Sequence, residues 1–402
     1  MYLRLPLVAL LLAPVARALT YHGADISSLI NLEKSGTTYH DSATSSTKLE
    51  TILAAHGANL ARIRIWTSTN DADYSLNYGL ALAKRAVAAK MTLLIDLHYS
   101  DTWADEGHQA IPSSWPTTLS GLNTQIYTYT KSVVAAFSAQ GTPIQYLQIG
   151  NEINDGLLWP VGRISVNGYS PASQLLHSAA NGAHDALSSV KAVVHIANGW
   201  DASGVSSFFN NIFIAGQLSL SDVNAFGFSF YPFYGTGATL AHLQSSLSAV
   251  VSKFGKDVMV VETNWPVTCS GVSLSEPSVA ISTSGQETWV KDIRNVLSGL
   301  SGGHGIGIVY WEPGWIGNAG KRFIRRTSEP FSSLVSKLLG PLVRTIYWST
   351  DPATRERPSP CSLPICSRVQ AHIYPPKNEN MYCNHNRRAM LTRARLRSLE
   401  CR

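Results

Sequence analysis

The stretch IQYLQIGNE (144–152) is a short apolar run that leads into Asn151 and Glu152. A second run, DVMVVETNW (257–265), carries Glu262 in the same way. Runs this short and this rich in β-branched residues are typical of parallel strands that are buried on both faces. A carboxylate at the C-terminal end of such a strand lies where α/β barrels carry out their chemistry.

Six further runs of this kind predict a barrel. The eight runs start near Tyr21, Leu60, Met91, Ile144, Ala192, Ala225, Asp257 and Gly305. Apolar residues at helical spacing occur between them, in segments 46–56, 124–138, 240–254 and 286–300. Strand and helix in alternation, eight times, is the pattern of a (β/α)8 TIM barrel. The alternative is a doubly wound open sheet, but no glycine-rich phosphate-binding segment follows the first strand, so we favour the barrel.

Composition and the first residues indicate an exported globular protein. The chain has 402 residues, of which 45% are apolar and 14% charged, which suits one large domain. Residues 1–18 resemble a secretory signal peptide: Arg4, an apolar stretch, and small residues before a cleavage point after Ala18. No later apolar run reaches the roughly 18 residues that a membrane span needs. We therefore expect a secreted, soluble, extracellular protein with no membrane partner.

The basic charge of the chain is confined to its last part. Residues 1–320 hold 16 Lys/Arg and 21 Asp/Glu, whereas residues 321–402 hold 16 Lys/Arg and 5 Asp/Glu. The cysteines divide at the same point, because only Cys269 precedes residue 321. A lone cysteine in an exported domain suggests a missing or intermolecular partner. Since the body is acidic and the chain is exported, we expect no nucleic-acid partner.

Two strand-end glutamates suit glycoside hydrolysis, which needs a proton donor and a nucleophile or base. An isolated Asn-Glu pair would more often cap a helix or pair with an arginine. A second strand-end glutamate favours the catalytic interpretation instead. The 110 residues between Glu152 and Glu262 correspond to about three βα units, so both should reach one mouth. Arg62 and Arg64 point the same way from the second strand and need carboxylate partners there.

Other chemistries are weakly signalled. No HExxH motif, Cys/His ligand spacing, GxSxG elbow or P-loop is present, so we expect neither metal nor cofactor. His98 is predicted to form hydrogen bonds near the carboxylates, and a Ca²⁺ loop around Asp96, Asp101 and Asp105 has little support. Aromatic residues near strand ends suit the apolar faces of sugar rings. They are Trp66, Tyr99, Trp103, Trp159, Trp200, Tyr231, Trp265, Trp311 and Trp315.

Several segments resemble the arabinogalactan endo-β-1,4-galactanases, glycoside hydrolase family 53. They are GADISSL (23–29), Arg62-x-Arg64-x-Trp66, DLHYSDTWAD (96–105), IGNE (149–152), GLLWP (156–160), YPFY (231–234), VETNWP (261–266) and YWEP (310–313). The resemblance covers residues 19–320 and implies a monomeric, retaining enzyme that cleaves galactan side chains of pectin.

The resemblance also implies roles for individual residues. Glu152 would be the acid/base and Glu262 the nucleophile, and Asn151 would contact the 2-hydroxyl of the sugar. One or both of Arg62 and Arg64, with Tyr231, would keep Glu262 ionised. The subsites would be lined by His98, Asp101, Trp103, Trp265 and Trp311. A related barrel hydrolase for mannan or cellulose, or a non-catalytic carbohydrate-binding barrel, stays as the alternative.

The chain departs from the family pattern after residue 320. A cysteine in the family's final loop usually pairs with the cysteine that matches Cys269. We expect residues 321–343 to supply a surrogate final helix, at 328–340, and residues 344–402 to form a basic, disordered tail. The coincident change in charge, cysteine use and resemblance suggests a gene-model artefact. The rival interpretation is a genuine basic tail that binds polyanionic pectin.

Overall fold

Eight parallel strands close into a barrel, as the sequence predicts. The structure is a computed structural model that describes residues 18–42, 45–69, 72–235, 237–269 and 273–315. Each strand pairs with the next, and the eighth pairs with the first. Each strand begins within two residues of its predicted start. In chain order, β1–β8 are Tyr21–Asp25, Leu60–Ile65, Thr92–Leu97, Tyr146–Ile149, Lys191–Ile196, Ala225–Ser229, Asp257–Thr263 and Gly305–Tyr310.

Seven helices that follow β1–β7 pack outside the barrel, and the four predicted helical segments correspond to the first, third, sixth and seventh of them. These helices, α1–α7, are Leu49–Ala55, Leu76–Ala88, Leu119–Ala139, Tyr169–Ala186, Ala202–Ile212, Leu240–Phe254 and Thr283–Ser298. The smaller elements are helices Leu29–Lys34 and Ile164–Asn167, 3-10 turns Leu220–Asp222 and Ser301–Gly303, and the paired short strands Tyr39–Ser42 with Ser45–Thr47 and Gly156–Leu157 with Gly162–Arg163.

Helix α6 shows how local sequence sets these boundaries. The side chain of Thr239 accepts a hydrogen bond from the backbone N–H of His242 and caps the first turn. Gly255 ends the helix with φ of 60°, a left-handed conformation that glycine adopts without steric cost. Leu243 and Leu247 are fully buried on one face, which fixes the side that the helix turns to the strands.

The barrel interior is divided along its axis. Apolar side chains fill the N-terminal half, as Leu60 on β2 and Leu94 on β3 illustrate. Successive residues of a strand alternate between its two faces, so Arg62 and Arg64 share the interior face with Leu60. The C-terminal half is therefore polar, and it is at this end that the functional side chains collect.

An apolar groove runs along the outer surface where β8 meets β1, between α1 and α7. It is lined by Gly23, Ala24, Leu53, Val290, Ile308, Tyr310 and Pro313. In a (β/α)8 barrel the last helix covers this seam. The surrogate helix that the sequence predicts at 328–340 lies outside the described residues.

The structure also bears on the expectations for Cys269 and for membrane-spanning segments. Cys269 is disulfide-bonded, which corrects the expectation that it lacks a partner; the other cysteine lies outside the described residues. Within the part of the chain that the structure describes, every helix is too short or too polar to cross a bilayer.

Candidate active site

The two glutamates enter the same C-terminal mouth from opposite sides of the barrel. Glu262 lies within β7, one residue before its end, and is 4% exposed. Glu152 lies three residues past β4, in a loop, and is partly exposed. The chain turns there through Gly150 with φ of 112° and Glu152 with φ of 49°. This left-handed turn carries the Glu152 side chain over the mouth rather than outward.

Arg62 joins the strands around the mouth through one buried guanidinium group. Its amino groups lie 2.7 Å from Asp25, 2.9 Å from Asp96 and 2.7 Å from Glu262. They also donate to the side-chain oxygen of Asn151 at 2.9 Å, and Nε donates to Gln148 at 2.8 Å. A fully buried arginine is tolerated only when it is paired in this way. Arg62 therefore holds the nucleophile candidate in place.

The ionisation of the interior carboxylates follows from this arrangement. Burial works against the ionised form of Asp96, but the charge of Arg62 prevails and lowers its pKa to about 2. At Glu262 burial raises the pKa, and Arg62 offsets only part of this effect. The Tyr231 hydroxyl donates to Oε2 of Glu262 at 2.9 Å, which also favours the carboxylate. Glu262 is thus the member of the glutamate pair with compensating cation and donor.

Among the described ion pairs, none gives Glu152 a cation, and hydrogen bonding by Ser229 offsets only part of the rise in its pKa. Partial burial in the mouth and then the negative charge of Glu262 raise the pKa of Glu152 well above the usual value. Two carboxyl groups that repel each other titrate in separate steps, and the one without a cation retains its proton to higher pH. The geometry therefore separates the pair into a protonated Glu152 and an ionised Glu262.

Arg64 does not share the role of Arg62. Its Nη1 lies 2.8 Å from Glu312, and Nη2 donates to the Ser28 hydroxyl at 2.9 Å. Its guanidinium stacks over the rings of Tyr74, at 4.6 Å, and Trp103, at 5.2 Å. Of the two arginines left open by the sequence, only Arg62 contacts Glu262 among the described ion pairs.

His98 and Asp101 lie near the mouth, but their polar atoms bond to protein groups. The Nδ1 atom of His98 accepts from the backbone N–H of Ala104 at 3.0 Å, so the proton on Nε2 is donated to Asp96 at 3.0 Å. Asp101 accepts from Thr67 at 2.8 Å and from Ser113 at 2.7 Å. Hydrogen bonding near the carboxylates is thus present for His98, whereas Asp101 ties two loops together.

The aromatic predictions divide into two groups. Trp103 and Trp311 meet edge to face at 6.4 Å, and we call this pair the aromatic wall. Trp103 is partly exposed, whereas Trp311 is 5% exposed. Trp265 was predicted to line a subsite, and this is wrong. It is 1% exposed and packs on Trp289 of α7 at 4.9 Å, and its indole N–H donates to the backbone of Ala280. The chain turns outward after β7 and carries the ring into the layer between strand and helix.

Sequence reasoning missed several polar residues of the site. Glu312 lies in the YWEP segment (310–313), but the sequence predicts no role for it. Burial raises the pKa of Glu312 to about 7 despite the charge of Arg64. Gln148, His195 and Ser229 are fully buried in β4, β5 and β6. A polar residue inside an otherwise apolar strand was the available signal for all three.

Metal ligation has no support in the described part of the chain. No group of three or more His, Cys, Asp or Glu side chains there is arranged to hold a metal ion. Asp96, Asp101 and Asp105 bond to different partners, namely Arg62, Ser113 and His108. The environments of Glu152 and Glu262 instead provide one protonated and one ionised carboxyl group, which suits acid and nucleophilic catalysis.

Several known proteins are similar to this chain in sequence. A model of glycosyl hydrolase family 53 matches residues 21–340. A probable arabinogalactan endo-β-1,4-galactanase A of Neosartorya fischeri is 44% identical over 324 residues, 78% of this chain and 90% of the relative. An arabinogalactan endo-β-1,4-galactanase of Thermothelomyces thermophilus is 42% identical over 308 residues, 75% of this chain and 92% of the relative.

A solved structure from a study of two fungal β-1,4-galactanases also superposes on the chain. The TM-score is 0.74 at 39% identity, covering 80% of this chain and 99% of that one. The family match ends at residue 340, so it runs past residue 320, where the sequence analysis ended the resemblance. It thereby includes most of the segment proposed as a surrogate final helix.

Proposed function

This chain belongs to glycosyl hydrolase family 53, and we propose that it is an endo-acting β-1,4-galactanase of arabinogalactan that uses Glu152 and Glu262. The observation that carries the proposal is the unequal environment of these two carboxyl groups. Glu262 has Arg62 at 2.7 Å and Tyr231 at 2.9 Å, whereas Glu152 has the repelling charge of Glu262. An acid and a nucleophile are the two components that a glycosidase needs.

The reaction proceeds in two displacements. Protonated Glu152 gives its proton to the leaving glycosidic oxygen while the Glu262 carboxylate attacks the anomeric carbon and forms a glycosyl ester. Glu152, now ionised, takes a proton from water, and this water breaks the ester and releases the sugar with its original anomeric configuration. Asn151 is held by Arg62 and by the Ala104 carbonyl, to which Nδ2 donates at 2.9 Å. Its second amide hydrogen is directed to the sugar 2-hydroxyl.

The sugar rings lie against the aromatic wall of Trp103 and Trp311. Flat aromatic faces bury the apolar face of a galactose ring and leave the hydroxyl groups of the sugar free to form hydrogen bonds elsewhere. The protein acts as a secreted monomer on the galactan side chains of pectin. The family membership and the names of the relatives support this substrate, and the signal-like residues 1–18 support export.

Two variants test the assignment of roles. Glu152→Ala should lower kcat on galactan by about 10²–10⁴-fold, the usual contribution of a positioned general acid. Glu262→Ala should remove measurable turnover while galactan binding persists. Glu33→Gln, which alters a carboxyl group paired with Arg85 outside the barrel, is the matched control and should retain activity.

Substrate and stereochemistry are measured in the same experiment. Reducing-sugar release is compared on galactan, mannan and cellulose, and NMR follows the anomer that forms first. Release of the β-anomer from galactan fits the proposal. An α-anomer first product would refute the double displacement, and preferential release from mannan or cellulose would refute the substrate. Sugar binding without turnover by the unaltered protein would make it a carbohydrate-binding barrel.

A further inference from the structure

Three buried polar side chains on consecutive strands have no part in the proposed chemistry. Gln148, His195 and Ser229 lie on β4, β5 and β6, and each is at most 2% exposed. Burying polar groups among aliphatic side chains is costly unless every donor and acceptor is satisfied. These three satisfy one another in a row of hydrogen bonds that starts at Arg62 and ends at the Ser229 hydroxyl.

The direction of each hydrogen bond follows from Arg62, because a guanidinium group can only donate. Its Nε lies 2.8 Å from Oε1 of Gln148, which is therefore the acceptor end of that amide. Nε2 of Gln148 then donates to Nδ1 of His195 at 2.7 Å. With Nδ1 accepting, the proton of neutral His195 must be on Nε2, which donates to the Ser229 hydroxyl oxygen at 2.9 Å.

The hydroxyl hydrogen of Ser229 is the only donor left at the end of this row. Ser229 lies in register with Glu262 of the neighbouring strand β7, at the mouth, and hydrogen bonding by its side chain opposes the rise in the pKa of Glu152. Burial and the charge of Arg62 hold the pKa of His195 well below its usual value, so the imidazole stays neutral. A proton on Nδ1 would also face the Gln148 N–H group.

We propose that His195, held by Gln148, is a positioning residue that fixes the Ser229 hydroxyl as a hydrogen-bond donor to Glu152. The acid/base is then tied through hydrogen bonds to Arg62, the group that holds Glu262. Ser229 stabilises ionised Glu152, which must recover a proton from water in the second displacement. The inference rests on the proposed function for its kinetic consequence, but the row of hydrogen bonds stands without it.

Other charged groups act on the same two side chains and are left unaltered in the test. Glu152 is influenced by Glu262, Glu106 and Asp105, and His195 by Arg62, Asp96 and His98. Tyr231, which bonds Glu262, also lies near enough to sense the charge of Glu152. Substitutions at Ser229 and His195 remove no ionised group from this set.

The pH profile of kcat/KM on galactan is the first measurement. Its alkaline limb reports the free-enzyme pKa of the group that must be protonated. Without the Ser229 donor, ionised Glu152 loses a stabilising bond, so Ser229→Ala should move this limb upward by about one pH unit. Ser229→Thr, which keeps the hydroxyl, should restore the wild-type position.

His195→Leu should move the alkaline limb in the same direction, and the double variant should move it no further. His56→Asn, at a buried histidine bonded to Asp41 outside the barrel, is the control and should leave the limb unchanged. A fall in kcat with an unmoved limb in Ser229→Ala would reduce the row to a structural role and overturn the proposal. Additive shifts in the double variant would also overturn it.

The second measurement does not depend on activity. In protein labelled with ¹⁵N-histidine, NMR should show His195 neutral, protonated on Nε2 and unprotonated on Nδ1, throughout pH 5–8. A proton on Nδ1, or titration in that range, contradicts the row of hydrogen bonds. If this signature is found in a protein that does not cleave galactan, the proposed function fails while the assigned hydrogen bonds remain.

Discussion

At the scale of single residues, the mouth is organised by two buried arginines that share Asp25 as a counterion, at 2.7 Å from Arg62 and 3.9 Å from Arg64, and otherwise pair with different carboxylates. Arg62 contacts Asp25, Asp96 and Glu262, and Arg64 contacts Glu312. Removing one member of such a group leaves an uncompensated buried charge, which typically costs about 3–5 kcal/mol. The interior aspartates are therefore needed as counterions, even though they stand away from the bond that is cleaved.

Glu312 should make the stability of the protein dependent on pH. Burial, partly offset by Arg64, raises its pKa from 4.5 to about 7. The folded state thus holds the proton more tightly than the unfolded state does, so the free energy of unfolding falls as pH rises from about 4.5 to 7. One proton limits this slope to about 1.4 kcal/mol per pH unit. Thermal unfolding of wild type and Glu312→Gln across this range measures it.

The informative quantity is the difference in Tm between the two proteins. Glutamine cannot ionise, so the Tm of Glu312→Gln relative to wild type should increase between pH 4.5 and 7 and then level off. Below pH 7 the Glu312 side chain of folded wild type is mostly protonated and neutral, so glutamine replaces a neutral group and adds only an offset from altered hydrogen bonding to Arg64 and Ser28. A difference that stays constant from pH 4.5 to 8 would contradict the assignment of a raised pKa to Glu312.

At the scale of elements, the sequence predicts strands well and side-chain direction beyond them poorly. The β-branched runs specify β4 and β7 because parallel strands are buried on both faces, whatever the loops do. Trp265 follows the end of β7, where the path of the loop decides which way the ring points, and it turned into the outer layer. The partner of Arg64 was missed for a similar reason, since Glu312 lies beyond β8 with φ of 46°.

The apolar groove between α1 and α7 should be covered by residues 328–340, which we propose as the final helix. Their helical spacing places Leu334 and Leu338 on one apolar face, and the family match extends through them to residue 340. A charge at Leu338 would be buried against groove residues such as Leu53 and Ile308. Leu338→Asp should therefore destabilise the protein by roughly 3 kcal/mol or more, seen as a lower Tm.

Ser333→Asp supplies the matched control, because helical spacing places Ser333 on the face opposite Leu338. The same new charge there should remain in water and change the free energy of unfolding by less than about 0.5 kcal/mol. If both variants keep the wild-type Tm, residues 328–340 do not pack as a helix in the groove. If both lose Tm by the same large amount, the added charge destabilises the protein wherever it is placed, and the predicted helix face is wrong.

At the scale of the whole molecule, charge divides the chain into an acidic part and a basic part, and we expect the two parts to differ in affinity for polyanions. Residues 344–402 contain 11 Lys/Arg and 4 Asp/Glu, so they carry a net charge of +7, whereas the full chain carries +6. Galactan itself is uncharged, but the pectin backbone is a polyanion, and a basic segment binds a polyanion through release of its counterions. The full chain should therefore be retained on immobilised polygalacturonate at low ionic strength.

Removing residues 344–402 should abolish that retention and leave kcat on isolated galactan within about twofold, because every residue of the mouth that the structure describes precedes residue 316. Both forms should carry Cys269→Ser, since the partner of this disulfide lies outside the described residues.

A full-length variant separates the effect of charge from that of length, with Gln in place of Arg387, Arg388, Arg393, Arg395 and Arg397. Because salt of about 0.5 M screens exposed charges beyond a few ångströms, it should release the full chain from the column. Retention of the shortened form, or of the full chain at that salt, would show that the basic segment is not what binds the polyanion.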